Sequence, residues 1–288
     1  MKPSESVFVP VRGLRYHCRC WGDARAPKLF MLHGWMDVSA SFQFVVDALR
    51  GEWRVIAPDW RGFGLSEWAK GDGYWFPDYF ADLEYLIGHF QPEAPALLIG
   101  HSMGGNVAAM YAGIRPERVA KLIDLEGFGL RGAGAGEAPK RYAQWLGELA
   151  DKKPSFRDYD SFEALADRLC GNNPRLSREK ALFLARHWGM EKEGRVQLAS
   201  DPAHKLVNPV LYRLEEAEAC WRNVAAPVLW VAGAESKAAE FLKLSPQDLA
   251  ARKACFRQLT ERVIADAGHM LHHDQPERVA EVIEEFLG

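Results

Sequence analysis

One apolar run of this chain ends abruptly at a serine that stands between two glycines. Residues 98–105 read LIGHSMGG, and a helix-like segment follows at 106–111. A serine at a strand-to-helix turn has a strained backbone, and small residues two positions before and after it leave room for the turn. Gly100 and Gly104 meet this requirement. The pattern predicts a nucleophile elbow at Ser102, where the unpaired N–H groups of the following helix face developing negative charge.

Segments typical of buried strands alternate with helix-like segments along most of the chain. An alternating pattern over residues 7–21 around Gly13 predicts two paired strands at the start. Further strand-like segments lie at 28–32, 54–57, 96–99, 121–125, 227–233 and 262–265. Strand, helix and strand in regular order predict a parallel sheet with helices on both faces. We therefore expect an α/β fold with about eight mostly parallel strands, closed by an amphipathic helix over Pro276–Leu287.

One long region lacks buried-strand patterns. Between Gly127 and Val224, a glycine-rich stretch leads into three segments with helical apolar spacing, at 140–149, 161–170 and 177–187. In open α/β sheets the ligand crevice lies at the carboxyl ends of the strands, which such an insertion would cover. We predict a core of residues 1–130 and 225–288, and a helical cap of residues 131–224 inserted after the sixth strand.

Motifs at both ends and in the middle of the chain resemble one family. They read LFMLHGW at 29–35, VIAPDWRGFGLS at 55–66, AGHM at 267–270 and QPE at 275–277. In this order and spacing, together with the elbow, they resemble the α/β-hydrolase superfamily. The segment HGWMD at 33–37, followed by Ser41 and Phe42, is similar to the serine hydrolase-like proteins. The resemblance implies the α/β-hydrolase fold and a serine nucleophile.

Ser102 needs a base within hydrogen-bond reach, because a serine hydroxyl is a poor nucleophile at neutral pH. His269 is the predicted base: it follows the last predicted strand on a loop at the same sheet edge, and it resembles the family's histidine loop. Other histidines are predicted to be structural, including His33, His101, His272 and His273.

Two glutamates are candidates for the acid that orients this base. Family members usually carry an aspartate three residues after the glycine that ends the seventh strand, but this chain has Ser236 there and Glu235 one position earlier. Some members take their acid from the end of the sixth strand, where this chain has Glu126. Both fit the order serine, acid, histidine, and both remain open. Asp124, within the predicted strand, is a more distant third.

An acyl-transfer site also needs donors for the oxyanion of the tetrahedral intermediate. The backbone N–H of Met103 is one predicted donor. The resemblance implies a second at Trp35, because the loop after the third strand lies against the elbow in this family. Both roles belong to the main chain, so the Trp35 side chain is free to line a pocket.

Composition narrows the possible ligands. The net charge is −3 with acidic and basic residues interspersed, which indicates no nucleic-acid surface. Ten tryptophans favour a small apolar or aromatic acyl substrate, and we expect Trp35, Trp60, Trp145 and Trp188 near the pocket mouth or in the cap. No ligand cluster or phosphate-binding glycine motif indicates a metal or a cofactor.

The chain has no signal-peptide pattern and no apolar stretch long enough to span a membrane, so we expect a cytoplasmic protein. Its five scattered cysteines are expected to be reduced. The leading hypothesis is a serine hydrolase that cleaves a carboxylic ester or related acyl substrate through an acyl-enzyme intermediate. The alternatives are C–C bond hydrolysis or cofactor-free oxygen or peroxide chemistry on the same triad, or a non-catalytic ligand-binding protein.

Overall fold

The computed structural model describes residues 1–71, 73–151 and 154–288. Its main feature is an eight-stranded sheet with the order β1-β2-β4-β3-β5-β6-β9-β10. Only β2 runs against its neighbours, so the predicted mostly parallel sheet is confirmed. The strands of this sheet are β1 (Ser4–Val11), β2 (Leu14–Trp21), β3 (Lys28–Leu32), β4 (Arg54–Pro58), β5 (Ala96–His101), β6 (Val119–Leu125), β9 (Val228–Gly233) and β10 (Leu259–Ile264). A separate hairpin consists of β7 (Gly189–Lys192) and β8 (Arg195–Leu198).

Helices cover both faces of the sheet. They are α1 (Gln43–Ala48), α2 (Phe76–Phe90), α3 (Met103–Ile114), α4 (Ala138–Asp151), α5 (Phe162–Asn172), α6 (Arg178–Trp188), α7 (Leu214–Arg222), α8 (Ala238–Phe241), α9 (Pro246–Lys253), α10 (Leu271–Asp274) and α11 (Pro276–Leu287). None of the helices in these ranges is long and apolar enough to cross a membrane.

Successive residues of the central strands are buried on opposite faces, because side chains alternate along a strand. On β3, Phe30 and Leu32 belong to the apolar cluster that packs under α2, α3 and α7. Leu29 and Met31 belong to the cluster under α1 and α11 on the other face. The parallel strands all point their carboxyl ends to one edge of the sheet, and the loops at that edge carry the candidate site.

The insertion between β6 and β9 contains α4 to α7 and the β7–β8 hairpin. Its helices α5 and α6 pack around a separate apolar cluster that includes Leu165, Leu184 and, from the core, Phe44. Two features differ from the sequence expectation. The hairpin is largely exposed and therefore has no buried-strand pattern. Helix α7 falls inside the predicted cap but packs on α3, with Ala217 and Trp221 in the core cluster.

Candidate active site

Ser102 lies in the turn between β5 and α3, with φ at 52° and ψ at −113°. Positive φ is strained for a residue other than glycine and persists where the surroundings hold it. The Ser102 N–H donates to the carbonyl of Leu125 at 2.8 Å, which fixes the turn to the end of β6. A Cβ atom at Gly104 would overlap the backbone of Leu32. The turn therefore requires glycine at position 104.

The imidazole of His269 lies between Ser102 and Glu126. Its Nε2 is 3.1 Å from Ser102 Oγ, and its Nδ1 is 3.0 Å from Glu126 Oε2. A proton on Nδ1 that is donated to the carboxylate leaves Nε2 free to accept the serine proton. The three side chains come from loops after β5, β6 and β10, and thus from the same edge of the sheet.

Glu126 is 2% exposed, and its backbone φ is 63°. Its N–H donates to the carbonyl of Val231 at 2.9 Å, and its Oε1 accepts the N–H of Gly233 at 2.7 Å. Its Oε2 accepts a hydrogen bond from Ser236 Oγ as well as from His269. Ser236 stands where the family usually has its acid, and here its hydroxyl donates to the Glu126 carboxylate. We did not predict this contact from the sequence.

The other two acidic candidates lie apart from the histidine ring. Glu235 is half-exposed and pairs with Arg175 of the insertion. Asp124 is fully buried, and its Oδ1 accepts the N–H of Gly127 at 2.7 Å. Burial raises the pKa of Asp124 well above its usual range. Of the three acids, the structure brings Glu126 to His269.

The loop after β3 lies against the serine turn. A Cβ atom built on Gly34 would stand 3.2 Å from Ser102 Cβ, so the backbone that continues to Trp35 passes beside the serine. Met103 begins α3 immediately after Ser102. A hydrogen bond fixes the start of this loop to the segment after β4: the N–H of Trp60 donates to His33 Nε2 at 2.9 Å. Burial lowers the pKa of His33, which keeps this ring neutral.

A cavity of about 640 Å³ opens beside the serine turn. Met103 and Trp35 line it from the core, and Trp145 and residues 206–213 line it from the insertion. Other aromatic side chains on its wall are Tyr74, Trp75, Phe76, Tyr79 and Phe80. Trp60 is instead fully buried in the core. Trp188 donates its indole N–H to Ser41 at 3.1 Å and is absent from the cavity wall.

Three buried side chains near His269 form a group with metal-ligand chemistry. Asp37, His101 and His272 each place one possible ligand atom within 4.8 Å of the others. His101 Nε2 donates to the backbone carbonyl of His269 at 2.8 Å. No sequence pattern predicted this group, because its members lie far apart in the chain: Asp37 in the loop after β3, His101 at the end of β5 and His272 in α10.

Comparisons with known proteins agree with this architecture. The chain matches the family model described as alpha/beta hydrolase fold over residues 27–276. A Serine hydrolase-like protein of Danio rerio is 28% identical over 298 residues, covering 100% of this chain and 90% of that protein. A 3-hydroxybutyrate-oligomer hydrolase of Cupriavidus necator is 28% identical over 284 residues, covering 93% of this chain and 91% of that protein.

Solved structures share the fold along the whole chain. A thioesterase domain from the curacin biosynthetic pathway superposes with a TM-score of 0.86 at 24% identity, covering 98% of this chain and 99% of that domain. A hypothetical protein of Pseudomonas aeruginosa PAO1 gives a TM-score of 0.85 at 25% identity, with 98% of each chain covered.

Proposed function

Since this chain belongs to the alpha/beta hydrolase fold family, we propose that it is a serine hydrolase that cleaves a carboxylic ester or related acyl substrate. The observation that carries the proposal is the hydrogen-bonded series from Ser102 Oγ through His269 to Glu126. This is the arrangement of nucleophile, base and orienting acid that acyl transfer requires.

The reaction proceeds in two halves. His269 Nε2 takes the proton of Ser102 as Oγ attacks the acyl carbonyl, and the N–H groups of Met103 and Trp35 bind the oxyanion. The protonated His269 returns the proton to the leaving oxygen, and an acyl-Ser102 ester remains. Water, activated by His269, then attacks this ester and releases the acid and free Ser102. Ionised Glu126 stabilises the imidazolium in both halves.

Glu126 is our choice for the triad acid. Both of its oxygens are held by hydrogen-bond donors, and its exposure of 2% keeps water from competing for them. Glu235 pairs with Arg175, and its side chain is 51% exposed. Such a solvated carboxylate does not orient the His269 ring.

The substrate proposal follows from the cavity. Its wall is dominated by aromatic and aliphatic side chains, and such pockets bind apolar or aromatic groups. We assign residues 131–224 the role of a cap whose α4 and residues 206–213 shape the acyl-binding side. A series of p-nitrophenyl esters from acetate to long acyl chains tests this. Turnover with an optimum chain length that disappears in Ser102→Ala supports the hydrolase, and turnover equal to that of Ser102→Ala refutes it.

A second candidate substrate is an ester whose acyl part ends in a carboxylate. Arg141 and Arg213 line the cavity, and Arg141 forms no ion pair with any residue in the three described ranges. A full-length relative is named 3-hydroxybutyrate-oligomer hydrolase, and an oligomer of a hydroxy acid is an ester with a carboxylate at one end. An arginine that meets such a carboxylate forms a charge-assisted pair.

Matched esters separate the two substrate classes. The p-nitrophenyl monoester of a dicarboxylic acid is compared with the ester of a monocarboxylic acid of equal length. We expect kcat/KM for the dicarboxylic monoester to fall about tenfold in Arg141→Met, with the neutral ester unchanged. Lys140→Met, at an exposed position absent from the cavity wall, is the control. Equal losses for both esters would remove the second candidate.

A further inference from the structure

We propose that Asp37, His101 and His272 form a binding site for a divalent transition-metal ion of the zinc class, and that the bound ion inhibits hydrolysis. The binding site stands without the proposed function, whereas the inhibition rests on it. The three side chains are 3%, 1% and 0% exposed, respectively, so any ion held there is enclosed by protein.

Unsatisfied atoms converge at this group. Asp37 Oδ2, His101 Nδ1 and both ring nitrogens of His272 have no hydrogen-bond partner in the described part of the chain. Buried polar atoms without partners are costly and uncommon in folded proteins. One metal ion can take a carboxylate oxygen and two imidazole nitrogens as its ligands at the same time.

The donor set selects the type of metal. Two imidazoles and one carboxylate suit Zn²⁺, Co²⁺, Ni²⁺ or Cu²⁺, whereas Mg²⁺ and Ca²⁺ prefer oxygen ligands. His272 Nε2 and Asp37 Oδ2 are 3.7 Å apart, close to the separation of about 3.4 Å between two ligands of tetrahedral zinc. All three candidate ligand atoms lie within 4.8 Å of one another, so side-chain movements of about 1 Å bring them to ligand spacing.

The site touches the catalytic machinery at two points. His101 supports the His269 loop through the 2.8 Å bond from Nε2 to the His269 carbonyl. Asp37 lies two residues after Trp35, on the loop that carries the proposed oxyanion donor. Drawing His101 and Asp37 toward an ion therefore moves both the base and the oxyanion loop, although the ion itself does not touch the substrate.

The burial of this group also determines how fast inhibition by the ion develops. An ion must wait for a local opening to reach the group, so inhibition develops slowly, is not relieved by more substrate, and reverses slowly in EDTA. His269 itself has a side chain that is 38% exposed, and an ion bound there would inhibit at once and compete with substrate.

The decisive readout does not use activity. Ser102→Ala protein is loaded with Co²⁺, passed through a desalting column, and examined by metal analysis and visible absorption. We expect about one retained cobalt per chain with the spectrum of a four-coordinate ion. His272→Gln and the isosteric Asp37→Asn are expected to retain at least tenfold less. His273→Gln is the matched control, because His273 is also buried and its ring centroid lies 4.1 Å from that of His272, but it is outside the ligand group.

Each outcome has one meaning. No retained cobalt in a folded Ser102→Ala protein, or equal retention in folded His272→Gln or Asp37→Asn, overturns the site. Retained cobalt with Zn²⁺-insensitive esterase activity in the wild type overturns the inhibition and leaves the site. If the wild type has no esterase activity, the proposed function fails while the cobalt result still decides the site.

Discussion

The core and the insertion between β6 and β9 contribute to this molecule in different ways. The core supplies Ser102, Glu126 and His269 from loops that follow strands of one sheet, and hydrogen bonds to neighbouring backbone fix two of them. The insertion supplies a large part of the cavity wall through half-buried or exposed side chains such as Trp145. We infer that the core determines the reaction and the insertion determines which acyl group reaches it.

Changing the acid in the core should have the largest effect. In Glu126→Gln the amide keeps the shape of the side chain but no longer stabilises the imidazolium, and kcat for an activated ester is expected to fall about 10⁴-fold. Glu235→Gln is the matched control. It removes a half-exposed charge and should change kcat less than about threefold. Mild effects of both changes would mean that neither glutamate is the triad acid.

The junction between the two regions should respond to pH. His204 belongs to the insertion and stacks on Phe63 and Tyr74, with ring centroids 3.9 and 3.6 Å away. Burial lowers the pKa of His204 to about 3. The unfolded chain, with a pKa of about 6.5, therefore binds the proton first as pH falls. The stability contributed by neutral His204 is complete above about pH 6.5 and is lost as pH falls toward 3.

We expect His204 to account for about 2 kcal/mol of the free energy of unfolding that is lost between pH 7 and pH 5. Urea unfolding at both pH values measures this quantity. His204→Gln should show a smaller loss by that amount, and His89→Gln, at an exposed position, should behave as the wild type. If His204→Gln loses as much unfolding free energy between pH 7 and pH 5 as the wild type, the folded protein does not hold His204 as a neutral, stacked ring.

Ser236 tests how the core holds Glu126. Its hydroxyl donates to the same Glu126 oxygen that accepts from His269. Ser236→Ala removes one hydrogen bond to a carboxylate, which corresponds to a loss in kcat of about tenfold with KM unchanged. A change in KM alone would mean that Ser236 acts on the substrate and not on the acid.

In the insertion, a change should alter selectivity more than rate. Trp145→Ala shortens one wall of the cavity, so kcat/KM for long-chain esters is expected to fall about fivefold while acetate changes less than twofold. Trp68→Ala, at an exposed position absent from the wall, is the control. The same fractional loss for every ester would contradict the inference that the insertion determines which acyl group reaches the core.

The same division explains what the sequence could predict. The strands and the serine turn follow from local patterns, and the resemblance to the hydrolase family and to serine hydrolase-like proteins is confirmed by the matches along the chain. The acid stayed open because Glu126 and Glu235 both follow strand ends, and only the register of the side chains separates them. We expected Trp60 near the pocket mouth, but it lies in the core. A loop motif in the sequence does not show whether its aromatic side chain points to the core or to a pocket.

The acyl-enzyme mechanism is tested most directly by measuring the mass of the protein during turnover of a p-nitrophenyl ester, after the reaction is stopped with acid. We expect an added acyl group on the wild-type chain, located at Ser102 by peptide mapping and absent from Ser102→Ala. An acyl group on another residue, or ester hydrolysis that persists in Ser102→Ala, would contradict it.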